Sequence, residues 1–170
     1  MTSLRLRVGV MLAVTVVLHL TLLSRLRIDN VRPDALLLVA LVAGLIAGPE
    51  RGAIVGFCAG LLADLFLQTP FGLSALAYAL VGFAVGSAQS GILRAAWWIP
   101  VVTALGASAS GVVLYGLLGA MVGQVDFVGP RLVVIAAVVG VMNAALTPGA
   151  MRLVGWAFRS GPTDRSYAGL

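Results

Sequence analysis

The sequence predicts an all-α fold, a polytopic membrane helix bundle of about six transmembrane helices. Three observations predict it. The 170 residues are 61% hydrophobic and only 10% charged, with a mean hydropathy of +1.08, whereas a soluble domain carries about a quarter charged residues. A domain of this size cannot hide that apolar excess in one core, because much of its surface stays exposed, so the excess faces lipid. The charges fall in short clusters between long uncharged runs, and proline and glycine punctuate those runs at intervals a bilayer-spanning helix would fill.

The candidate spans are residues 8–23, 33–48, 52–67, 73–93, 97–122 and 132–151. The first follows Arg5 and Arg7 as the apolar part of a signal peptide would. It ends in Leu22-Leu23-Ser24-Arg25 without a small-x-small cleavage site, and it reads as an uncleaved span. Pro33 opens the second span, where its missing donor is harmless. Gly48-Pro49-Glu50-Arg51 forms a polar turn before the third. The second and third spans have sixteen residues each, about 24 Å of helix at about 1.5 Å per residue. That is short for a hydrocarbon core of about 30 Å, so a re-entrant hairpin is the alternative to two full crossings. Thr69-Pro70-Phe71-Gly72 suits a type I turn ahead of the fourth span, with proline second and glycine fourth. Gly129-Pro130-Arg131 starts the sixth, and Pro148-Gly149 is expected to kink or end it. Arg152 and Arg159, with Trp156 and Phe158 nearby, then read as a short juxtamembrane helix to residue 159. Residues 1–159 thus make a single transmembrane domain, and residues 160–170 a disordered cytoplasmic tail.

All eleven basic residues are arginine, and their placement sets orientation. With six spans and the N-terminus inside, the inner side holds seven (Arg5, Arg7, Arg51, Arg94, Arg152, Arg159, Arg165) and the outer side four (Arg25, Arg27, Arg32, Arg131). Both termini are therefore expected in the cytoplasm, with Trp97 and Trp98 at the inner interface. This topology accounts for the +5 charge, and no basic stripe carries stacking aromatics, so nucleic acid is not an expected partner.

Small residues recur every four positions. Gly52, Gly56, Gly60 and Asp64 form one face of the third span, and the other spans from the second onward carry similar stripes. Such faces let helices approach closely in lipid. They serve internal packing or, alternatively, a groove for a partner helix. Asp64 lies within the third span, near its outer end, where a carboxylate needs a partner or a cavity. It fits either a structural polar contact or a pocket or partner site. Asp34 suits a helix start, its charge facing the dipole. His19, with Thr15 one turn before it, suits an interhelical hydrogen bond. Cys58 reads as a small buried hydrophobe with no disulfide partner and no second metal ligand.

No catalytic, cofactor-binding or metal-binding constellation is present. There is one histidine and one cysteine, with no nucleophile elbow, no HExxH and no phosphate-binding loop. Spans this poor in ionisable groups do not assemble acid, base and nucleophile together, so the chain is read as non-enzymatic and without a cofactor.

Several blocks nevertheless stand in a specific order. They are Arg32-Pro33-Asp34, the ten residues from Gly48 to Phe57 (Gly-Pro-Glu-Arg-Gly-Ala-Ile-Val-Gly-Phe), Gly60-Leu-Leu-Ala-Asp64-Leu, Pro70-Phe-Gly72-Leu and Tyr78-Ala-Leu-Val-Gly82. In this order and spacing the chain resembles the rod shape-determining protein MreD family, most densely from Arg32 to Gly86. The resemblance implies a fold similar to the substrate-binding subunits of energy-coupling-factor vitamin transporters. It implies a scaffold of the peptidoglycan-elongating rod complex in the bacterial cytoplasmic (inner) membrane. The implied partners are a bitopic MreC-like protein and, through it, RodA, a class B penicillin-binding protein and MreB. The family landmarks that carry over are Pro33, Asp34, Gly56, Gly60, Asp64, Pro70 and Gly72, candidates for a partner-binding or pocket role. The alternative is a vitamin-transporter substrate-binding subunit. Those subunits resemble one another in an Ala-x-x-x-Ala face on the first helix, where this chain has only Gly9-x-x-x-Ala13.

Overall fold

The computed structural model describes residues 2–21, 31–66, 70–88, 98–124 and 129–159. Within them it is all-helical, with α1 (Thr2–Thr21), α2 (Ala35–Ala47), α3 (Pro49–Asp64), α4 (Leu73–Ala88), α5 (Ile99–Met121) and α6 (Pro130–Phe158). Among the described residues, three stretches are long and apolar enough to cross a bilayer: Leu4–Thr21, Ile99–Met121 and Arg131–Phe158. The expected 160–170 tail, Trp97 and Arg94 lie outside the described residues.

Helix α2 is the hub. It is apolar on every side, and Ala35 to Leu45 are all buried. A helix apolar all round needs neighbours all round, and α2 touches each of the other five helices. Its 13 residues span only about 20 Å at about 1.5 Å per residue, a length that suits a helix wrapped in protein. Gly48 alone separates it from α3, at φ +88°, a left-handed conformation that glycine adopts without a Cβ penalty. Pro49 and Glu50 therefore belong to the first turn of α3, where proline needs no donor and the acid meets the positive end of the dipole.

The glycine stripes are used inside the bundle. A Cβ added at Gly56 would lie 2.4 Å from the Tyr78 carbonyl oxygen, and one at Gly60 would lie 2.3 Å from Ala75 Cα. Gly44 of α2, Gly52 of α3 and Gly82 of α4 meet in the same way. Cβ atoms at Gly44 and Gly52 would approach the Gly82 carbonyl oxygen to 2.3 and 2.5 Å. Of the two uses expected for this face, internal packing or a partner groove, the Gly56–Gly60 face serves the first, covered by α4. The small residues let α2, α3 and α4 pack backbone to backbone, which supplies cohesion that apolar burial cannot give in lipid.

The ends of the bundle are distinct. At one, the Arg7 guanidinium Nη1 donates to the Arg159 carbonyl at 2.9 Å, and Arg51 lies 5.9 Å from the centre of the Phe158 ring. The starts of α1 and α3 therefore share a side with the end of α6. At the other end lie Asp34, Asp64 and the start of α4.

Three local expectations are corrected. Helix α6 continues past Pro148 for 29 residues in all, so Pro148-Gly149 does not end it and the juxtamembrane segment is its continuation. Buried Val154 and Ala157 hold that segment against the core, which offsets the backbone hydrogen bond proline removes. Cys58 is exposed, because it lies off the Gly56–Gly60 face that packs on α4. The turn before α4 is shifted by one residue. Leu73 N–H donates to the Pro70 carbonyl at 3.3 Å, and Gly72, at φ +98°, takes the third position, where type II turns need glycine.

Candidate functional site

The polar residues gather at the end away from Arg7 and Arg51. Asp34 caps α2, its Oδ1 accepting from Leu37 N–H at 2.9 Å. Its Oδ2 accepts from the Tyr78 hydroxyl of α4. Its backbone N–H donates to Asn143 Oδ1 at 3.2 Å, and Asn143 Nδ2 returns a bond to the Asp34 carbonyl at 3.0 Å. The second proton of that amide goes to Ser108 Oγ, also at 3.0 Å. Asn143 therefore uses both donors and its acceptor, and a flipped amide would set donor against donor at Asp34 N–H. One residue pair thus ties α2, α4, α5 and α6 together. Thr147, one turn along α6, donates to the Asn143 carbonyl at 2.8 Å. Ser108, Asn143 and Thr147 are completely buried, where a polar group left unpaired is expensive.

Asp64 serves a second helix start. Its Oδ2 accepts from Gly72 N–H at 2.7 Å and its Oδ1 from Ser74 N–H at 3.2 Å. It is only 4% exposed and caps α4 from across the preceding turn. A carboxylate here meets two otherwise orphaned donors and the positive end of the α4 dipole.

Beside these groups lies a cavity of about 530 Å³ to which all six helices contribute. Pro33 and Asp34 line it, along with His19, Ser74 and Tyr78. Of the sequence candidates, Pro33 and Asp34 face this cavity and Asp64 lies behind its wall, bonded to Ser74. Gly56 and Gly60 face α4, and Pro70 and Gly72 shape the turn that Asp64 caps. His19 does not make the expected bond through Nδ1, which has no hydrogen-bond partner among the described residues. Thr15 bonds instead to the Met11 carbonyl at 2.8 Å. Asn143 and Ser108 escaped the sequence reading, although an amide inside an apolar span signals an interior polar contact. Among the described residues, no three His, Cys, Asp or Glu side chains are grouped to hold a metal ion.

The family described as rod shape-determining protein MreD matches residues 2–147. The chain belongs to the MreD family. The match reaches well beyond the Arg32–Gly86 blocks and includes Asn143 of α6, which bonds to Asp34, and Ser108 of α5, which bonds to Asn143. The family's described role is rod shape determination, and nothing in the match favours the vitamin-transporter alternative. No curated protein and no solved structure matches.

Proposed function

We propose that this MreD-family protein is a non-enzymatic scaffold of the cell-wall elongation complex. It binds a bitopic MreC-type protein and, through it, the RodA glycosyltransferase, a class B penicillin-binding protein and MreB. The family match over residues 2–147 carries this reading. The side-chain chemistry agrees with it. Both buried-end carboxylates are committed to helix starts and the one intramembrane Asn to three helix–helix bonds. These polar groups hold a shape and carry no reacting constellation. The protein sits in the inner membrane with both termini in the cytoplasm, and crosses it six times. Its Arg7, Arg51 and Arg159 end lies inward, as the positive-inside rule requires.

Depleting the protein in its native rod-shaped cells tests this. Cell width is expected to rise and the rods to round, and a plasmid copy should restore them. Unchanged width through several generations of depletion would contradict it.

A further inference from the structure

We propose that the cavity is a binding site for a net-neutral, hydroxyl- or amide-bearing membrane amphiphile. This inference is separate from partner binding. The cavity, about 530 Å³, falls in the range of about 300–1,000 Å³ typical of sites for small organic ligands. Its wall is largely hydrocarbon, supplied by Leu37 of α2, Val112 of α5 and Ile135 of α6 among others. Such a surface takes an apolar body.

Two unpaired polar atoms, both on residues of this wall, indicate the chemistry of the head. Ser74 is fully buried and its Oγ has no hydrogen-bond partner among the described residues; the same holds for the buried Nδ1 of His19. Buried polar atoms are paired in the great majority of cases, and here both belong to side chains lining one cavity. A hydroxyl can donate and accept, and a neutral imidazole nitrogen does one or the other. A ligand hydroxyl or amide has the donor and acceptor that either atom needs. Ser74 contributes nothing through Oγ to the α4 cap, which uses its backbone N–H.

Charge on the wall selects against an ionic head. Arg32 and Asp34 both line the cavity and oppose one another, and both Asp34 oxygens already accept bonds. An anion entering deeply would meet that carboxylate. A cation would meet the Arg32 guanidinium on the same wall.

The test uses the full-length protein in lipid nanodiscs and a monoacylglycerol carrying a diazirine on its acyl chain. A tailless diazirine-bearing glycerol ether is the second probe. Saturable labelling of peptides containing Leu37, Val112 and Ile135, competed by unlabelled monoacylglycerol, is the expected result. Ser74→Ala should weaken half-saturation about five- to tenfold, the value of one hydrogen bond, while its thermal midpoint stays at or above that of the wild type. Val112→Phe, which fills the cavity and leaves both polar atoms intact, should remove saturable labelling. Non-saturable labelling spread over the lipid-facing residues of α1 and α5 would overturn the site. Equal affinity in Ser74→Ala would overturn the assigned head contact. Equally strong labelling by the tailless probe would overturn the amphiphile assignment.

Discussion

Gly60→Ala is the smallest change that probes how the bundle is held together. The added methyl would lie 2.3 Å from Ala75 Cα, 2.4 Å from Ala75 N and 2.4 Å from the Ser74 carbonyl oxygen. Ordinary contact begins near 3.4 Å, so α3 and α4 must separate by about an ångström along this line. All three neighbours are backbone atoms, and no rotamer change relieves the clash. Overpacking of this kind costs about 1–3 kcal/mol. Moving α4 also pulls Ser74 N–H away from Asp64 Oδ1, already 3.2 Å apart, a further loss of about 1 kcal/mol. Against this, alanine favours a helix over glycine by about 1 kcal/mol. The net expectation is a destabilisation of about 2 kcal/mol. Gly9→Ala is the control, because nothing lies within 4 Å of its added methyl; it should be neutral or stabilising by up to about 1 kcal/mol. Thermal unfolding of the purified variants in one detergent, with membrane levels measured in parallel, reads both. Gly60→Ala unfolding at or above the wild-type midpoint would refute the backbone-to-backbone packing of α3 on α4.

Asp64→Leu leaves the Gly72 and Ser74 N–H groups without their acceptor, at about 1–3 kcal/mol for each unpaired group. Asp64→Asn keeps one acceptor and should lose about half as much; equal midpoints for the two variants in the same melt would contradict the cap. Tyr78→Phe removes the hydroxyl that donates to Asp34 Oδ2 and should cost about 1–3 kcal/mol, whereas an unchanged midpoint would mean that the bond adds nothing. For topology, single cysteines at Asp29 and Gln124 in a Cys58→Ala background should react with a membrane-impermeant maleimide added outside intact spheroplasts. Labelling of either only after lysis would contradict six crossings with both termini inside.

Much of the fold was legible because lipid imposes a simple rule on composition. Uncharged runs located the six helices of the described residues, and Pro130 took a helix-starting position as its lost donor allows. Pro49, expected in a polar turn, starts α3 instead, because Gly48 alone makes that turn. The four-residue spacing of Gly52, Gly56 and Gly60 signalled close approach. It carried no information on whether the approaching helix was α4 or another chain. Asp34 was legible as a helix start from its place after proline, but its links to Tyr78 and Asn143 cross 44 and 109 residues of chain, beyond the reach of any local pattern. The cavity was invisible for the same reason, since its wall draws on all six helices. Pro148-Gly149 does not end α6, because the burial of Val154 and Ala157 outweighs the one backbone bond that proline loses.

Recovery of partners on the tagged protein, solubilised from native membranes and identified by mass spectrometry, tests the scaffold reading most directly. The account predicts that a single-span MreC-type protein co-purifies in near-stoichiometric amount, and that RodA and a class B penicillin-binding protein follow at lower yield. Recovery of transporter ATPase subunits in place of that single-span protein would contradict it.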